Sequence, residues 1–79
     1  MTLADITPIR DYRILALAVT EETVIATRLR QLGFVPGMRF VCEAVAPLVK
    51  NPYLVRIRGI NVALSKYEAL LINIEEIGP

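Results

Sequence analysis

Few residues in this chain of 79 can carry covalent, acid–base or metal chemistry. Histidine is absent and cysteine occurs once, as Cys42. No imidazole can therefore serve as a neutral-pH base, and no Cys/His couple can activate a thiol nucleophile. Glu21-Glu22 and Glu75-Glu76 are adjacent carboxylates. Adjacent side chains diverge on a helix and on a strand, so neither pair makes an acid–base couple or a chelate. A Gly-x-x-x-x-Gly-Lys-[Ser/Thr] phosphate loop is absent as well. Cys42 shares its expected strand face with Phe40 and Ala44, where a lone cysteine reads as a small buried hydrophobe. No carboxylates surround it at ligand spacing. These residues predict a protein that is not an enzyme, has no cofactor and lacks an intrinsic high-affinity metal site.

Recognition is the chemistry that remains. Arg56 and Arg58 stand two apart on an expected strand and can meet acidic groups of a partner. Val35-Pro36 and Leu48-Val49 are apolar where turn chemistry would accept polar residues, and exposed apolar residues on a small domain mark interfaces. The candidate partner-binding residues are Phe34, Val35, Pro36, Leu48, Val49, Arg56 and Arg58.

The elements that position them are short and well punctuated. Thr2-Leu3-Ala4-Asp5 suits a capped helical turn, ended by Pro8. Arg13 to Val19 is a mostly buried strand, too apolar for clean alternation. Thr20 is the expected N-cap of a helix with Glu21 and Glu22 in its first turn, and Ile25, Leu29 and Leu32 form its apolar face. Gly33 then takes the left-handed position of a Schellman stop, where Phe34 can fold back onto Leu29, and Pro36-Gly37 completes the break. Arg39 to Val45 alternates, with Phe40, Cys42 and Ala44 opposite Arg39, Val41, Glu43 and Val45. Tyr53 to Arg58 alternates again, and Gly59-Ile60-Asn61 reverses into Val62-Ala63-Leu64. Ser65 caps a short helical corner before a last strand through Leu70 to Ile74. Five short strands and one main helix are mainly β. Closure into an SH3-like barrel removes the edges that so small a sheet would expose.

Bulk properties exclude several classes. One domain over residues 1–79 fits the length. Nine basic and eight acidic residues give a net charge of +1, without the field that drives polyanion binding, so no nucleic-acid partner is expected. The longest apolar run, Ile14 to Val19, is far shorter than the roughly 18 residues of a membrane span, and the N-terminus lacks the layout of a signal peptide. Direct membrane insertion is not expected. A lone cysteine fits a reducing compartment, and the expected location is cytoplasmic. Apolar residues make up 54% of the chain, with a mean hydropathy of +0.50, which makes self-association credible.

The order Leu29-x-x-Leu32-Gly33-Phe34-x-Pro36-Gly37, then Ala46-Pro47-Leu48 with Pro52, then Arg56-x-Arg58-Gly59, Ala63-Leu64, Glu68-Ala69 and Ile72 resembles the FeoA family, from about Leu3 to Glu75. The resemblance implies an SH3-like barrel in bacterial ferrous iron uptake, without enzymatic activity. It also implies a partner, the membrane transporter FeoB with its cytoplasmic GTPase, which would hold the protein at the inner face of the membrane. The chain departs from the family at Pro8-Ile9, where members often carry Pro-Gly, at Val49-Lys50-Asn51-Pro52, where a short Gly-Asp-Pro-like turn is usual, and at Ser65, where a basic residue is common. Two further readings use the same fold: a free-standing interaction module, similar to the C-terminal domain of metal-responsive repressors, and a small nucleic-acid-binding barrel.

Overall fold

The computed structural model describes residues 1–19, 23–45 and 52–77. Five antiparallel strands, β1 (Asp11–Leu17), β2 (Arg39–Val45), β3 (Tyr53–Ile57), β4 (Ile60–Leu64) and β5 (Ile72–Glu76), form one sheet in the order β4-β3-β2-β1-β5. The helix α1 (Val24–Leu32) lies between β1 and β2 in the chain, and α2 (Lys66–Leu70) joins β4 to β5. Those two strands are the opposite margins of the sheet. A flat sheet would hold them about 19 Å apart, and a five-residue helix with its linking peptides reaches only about 15 Å. The sheet must curl, which gives the SH3-like barrel expected from the sequence. Among the described residues β4 and β5 do not pair with each other, so closure does not remove both edges as expected.

Local chemistry sets the ends of the elements. Thr2 and Asp5 form a reciprocal capping box on the 3₁₀ turn Leu3–Asp5. Ser65 and Glu68 do the same for α2. The stop of α1 is a Schellman motif: Gly33 has φ 112°, its N–H donates to the Arg30 carbonyl at 3.0 Å, and the Phe34 N–H donates to the Leu29 carbonyl at 3.0 Å. At the other end Thr23 caps the helix through Ala26 N–H at 3.0 Å. Thr20 is therefore not its cap; with Glu21 and Glu22 it lies outside the described residues. Pro36-Gly37 makes the expected turn, closed by the Met38 N–H donating to the Val35 carbonyl at 3.1 Å with Gly37 at φ 90°. Its exit side is tied twice to Ile14, whose carbonyl accepts from Gly37 N–H and whose N–H donates to the Met38 carbonyl, each at 2.8 Å.

Two β-bulges alter the expected faces. In β2 the register against β3 shifts between Cys42 and Ala44, so Val45 pairs with the buried Tyr53 and packs on the core, while Ala44 pairs with the exposed Leu54. Glu43 is the extra residue, and beyond it the expected alternation is inverted. A second shift between Ile14 and Ala16 does the same in β1. That strand starts at Asp11 and is buried only at Tyr12 and Ile14, with Leu15 47% exposed, so the mostly buried strand expected over 13–19 is corrected. β5 likewise runs two residues later than expected. The β3–β4 reversal is the two-residue turn Arg58-Gly59, with both residues at positive φ (53° and 78°) and Ile57 paired to Ile60. It does not involve Ile60 and Asn61 as turn residues.

The core gathers Leu29 and Phe34 from the helix end with Tyr12, Phe40, Tyr53, Ile57 and Ile72 from the sheet, all nearly inaccessible to solvent. Tyr12 and Phe40 stack with centroids 5.5 Å apart, and Phe34 meets Phe40 edge-on at 6.5 Å. Both buried phenols are satisfied: Tyr53 donates to the Ala4 carbonyl at 3.1 Å, and Tyr12 accepts from Thr7 N–H at 2.9 Å.

Candidate interaction surface

The expected recognition residues separate into core, rim and surface. Phe34 is fully buried, because the Schellman geometry turns its ring onto Phe40. It cannot offer that ring to a partner, which corrects its place among the candidates. Val35 is half-buried and Pro36 exposed at the tip of the turn that Ile14 holds. Leu48 and Val49 lie outside the described residues.

Arg58 is brought to the same end of the molecule. It sits in the β3–β4 turn rather than on the strand, and its methylenes lie over Gly33. Arg58 thus borders the segment that continues to Val35 and Pro36. Arg56 is elsewhere: it projects from the outer sheet face, pairs with Glu43 at 3.4 Å and donates to Asn61 Oδ1 at 3.4 Å. With Asp11, Arg39, Val41 and Ile77 it lines a shallow depression. The two arginines do not form one patch.

Other exposed residues were not singled out by sequence reasoning. Ile9 is 91% exposed with φ 64°, beside a depression lined by Pro8, Arg10, Asp11, Glu76 and Ile77. A β-branched residue in that region is strained. Its signal was the departure at Pro8-Ile9, where members of the resembled family often carry a glycine that would tolerate the positive φ. Val24 is 86% exposed and, with Thr23, Thr27, Arg28 and Gln31, lines a depression on the outer side of α1. It lies off the Ile25–Leu29–Leu32 stripe, so periodicity does imply its exposure.

Burial, and then the neighbouring Glu43 carboxylate, push the Cys42 thiol up from its ordinary range, which keeps it protonated at neutral pH. Among the described residues no three His, Cys, Asp or Glu side chains converge as a metal site. No helix among them is long and apolar enough to cross a membrane.

Fold and surface together define a class: small SH3-like β domains with a helix between the first two strands. The FeoA domain family matches residues 1–76, and the chain belongs to that family, which is tied to ferrous iron transport. Iron(II) transport protein A of Clostridium thermocellum is similar over 98% of this chain at 35% identity, with a TM-score of 0.88. This chain spans about half of that protein's length, 46%. FeoA of Stenotrophomonas maltophilia matches at 29% identity and TM-score 0.83, over 95% of this chain and 89% of its own. That protein is described as complexed with zinc, and as an SH3 domain protein and candidate activating factor of ferrous iron transport. FeoA of Chlorobium tepidum shares the fold at 24% identity and TM-score 0.85, over 99% of this chain and 71% of its own. No curated protein sequence matches the chain.

Proposed function

We propose that this protein is a non-catalytic accessory factor of bacterial ferrous iron uptake that acts from the cytoplasm by docking on the GTPase portion of the FeoB transporter. The family match over residues 1–76 carries this reading. The surface is in keeping with it: Pro36 is exposed on a turn held on β1 through Ile14, and the cationic Arg58 packs over Gly33, three residues before the proline. A pre-organised element of this kind loses little entropy on docking.

The test is genetic and biochemical. A strain lacking the protein should accumulate less ferrous iron at limiting supply while its transporter remains in the membrane. The tagged protein should recover a membrane GTPase, whose nucleotide turnover then shows whether hydrolysis or exchange changes. Normal iron accumulation in the deletion strain would count decisively against the proposal.

A further inference from the structure

The two margins of the sheet are treated differently. The outer side of β5 is occupied by the chain's own N-terminus, where Ile74 N–H donates to the Met1 carbonyl at 2.9 Å and Thr2 bridges Asn73. β5 also carries Glu75 and Glu76. Among the described residues the outer side of β4 has none of these protections. Its sequence, Ile60-Asn61-Val62-Ala63-Leu64, contains no charge and no proline, and its pairing with β3 runs without a bulge. Natural proteins blunt exposed edges with those devices, and an edge without them is a template for another strand.

The register shows which groups are open. Ile57 and Ile60 flank a two-residue turn, so they are a hydrogen-bonded pair, as are Val55 with Val62 and Tyr53 with Leu64. The N–H and C=O groups of Asn61 and Ala63 consequently face away from β3. Both residues are exposed, and among the described residues neither backbone has a partner.

Charge selects the occupant. Arg58 precedes β4 and Lys66 follows it, and among the described residues neither is engaged in an ion pair. A second copy pairing antiparallel in the register that satisfies these groups, Asn61 opposite Ala63, would set each Arg58 end against a Lys66 end. That is like-charge repulsion at both extremities. We infer that the free edge of β4 receives an extended segment of another protein, uncharged at its centre and acidic on both flanks, adding a sixth strand through the backbone groups of Asn61 and Ala63. A β-branched side chain opposite Ile60, itself 48% exposed, completes the contact. This inference concerns the binding mode and does not depend on the transport reading.

The probe is the capped peptide Glu-Asp-Thr-Val-Thr-Val-Thr-Asp-Glu, compared with a version N-methylated at alternate central amides and one with lysine flanks. The amides of Asn61 and Ala63 should exchange rapidly in the free protein and become protected on adding the acidic peptide. N-methylation, which removes two edge hydrogen bonds, should weaken binding about tenfold or more, and lysine flanks should weaken it as well. Ala63→Pro, which deletes an outward N–H without breaking the β3 ladder, should reduce binding with little change in melting. The inference is overturned if the acidic peptide leaves both amides unprotected, or if the N-methylated peptide binds equally well. Protection that grows with protein concentration alone would overturn it too, by assigning the edge to a second copy.

Discussion

The methylenes of Arg58 close over Gly33 so tightly that a methyl group on Gly33 would stand 2.6 Å from Arg58 Cδ and 3.2 Å from Cγ. This contact joins the end of α1 to the β3–β4 turn, two elements 25 positions apart in the chain. Gly33→Ala meets two costs, a φ of 112° that side chains avoid and the collision with Arg58. The expected loss of stability is about 1–2 kcal/mol. In an Arg58→Ala background the collision vanishes and the backbone cost stays, so Gly33→Ala should be less damaging there. Urea melts of the four proteins measure the coupling; additivity would show that Arg58 gives way freely.

Ile9 holds strain without burial. At φ 64° it lies where a β-branched residue costs about 1–2 kcal/mol, and its exposed side chain recovers almost none of this by packing. Ile9→Gly should raise stability by about 0.5–1 kcal/mol after the added freedom of the unfolded chain is subtracted. Its N–H donates to the Cys42 carbonyl at 3.0 Å, and glycine keeps that bond. Ile9→Pro should instead destabilise the protein. Thermal melts of both variants check the pair of opposite signs.

Much of this fold was legible because single residues impose it. Gly33 followed by Phe34 announces the helix stop, Ser65 with Glu68 announces α2, and the Arg39–Val45 strand has the bounds that alternation predicts. The bulges at Leu15 and Glu43 were not legible, since an extra residue is defined by the strand opposite it. The surface was less legible still. Phe34 and Val35 are adjacent apolar residues beside a turn; the Schellman stop that turns Phe34 back toward Leu29 already implied its burial, whereas nothing local sets how far Val35 is covered. Arg58 reads as a strand residue until both it and Gly59 are found at positive φ.

Glu68 should make the protein acid-sensitive. Burial raises its pKa, but the backbone N–H and hydroxyl of Ser65 and the guanidinium of Arg28 outweigh this and hold the carboxyl below its ordinary range. A group whose pKa is depressed by folding contributes stability that is present above its unfolded pKa and is lost as pH falls through the folded one. Glu68→Gln keeps an acceptor for Ser65 and loses the charge. The stability difference between wild type and variant should therefore be full at neutral pH and shrink as pH drops below the ordinary carboxylate range. Melts across that range test it, and a constant difference would remove Glu68 as the cause.

Cys42 is 1% exposed and its thiol is held protonated by burial and by Glu43. Alkylation should therefore proceed only through opening of the β2–β3 region, at a rate that rises with denaturant. Because one buried thiol is a poor iron site, Cys42→Ser should leave ferrous binding unchanged in a chelator competition. Stoichiometric, tight binding that disappears in Cys42→Ser would assign the residue a metal role.

Stability and recognition should separate between Phe34 and Arg58. Phe34→Ala empties a fully buried site against Phe40 and should cost about 3–5 kcal/mol, so any loss of function follows unfolding. Arg58→Glu changes an exposed turn residue whose methylenes pack over Gly33; glutamate keeps part of that stem, so the cost should be about 1 kcal/mol, well short of Phe34→Ala. If the Pro36–Arg58 end faces an acidic surface of the transporter's GTPase, the same substitution reverses an attraction, and binding should fall most at low ionic strength. Val35→Asp is the intermediate case: the side chain is half-buried, so a moderate loss of melting temperature should accompany the loss of binding. Melting and pull-down on these three variants decide the matter, and Arg58→Glu binding as wild type does would move the partner surface away from this end of the molecule.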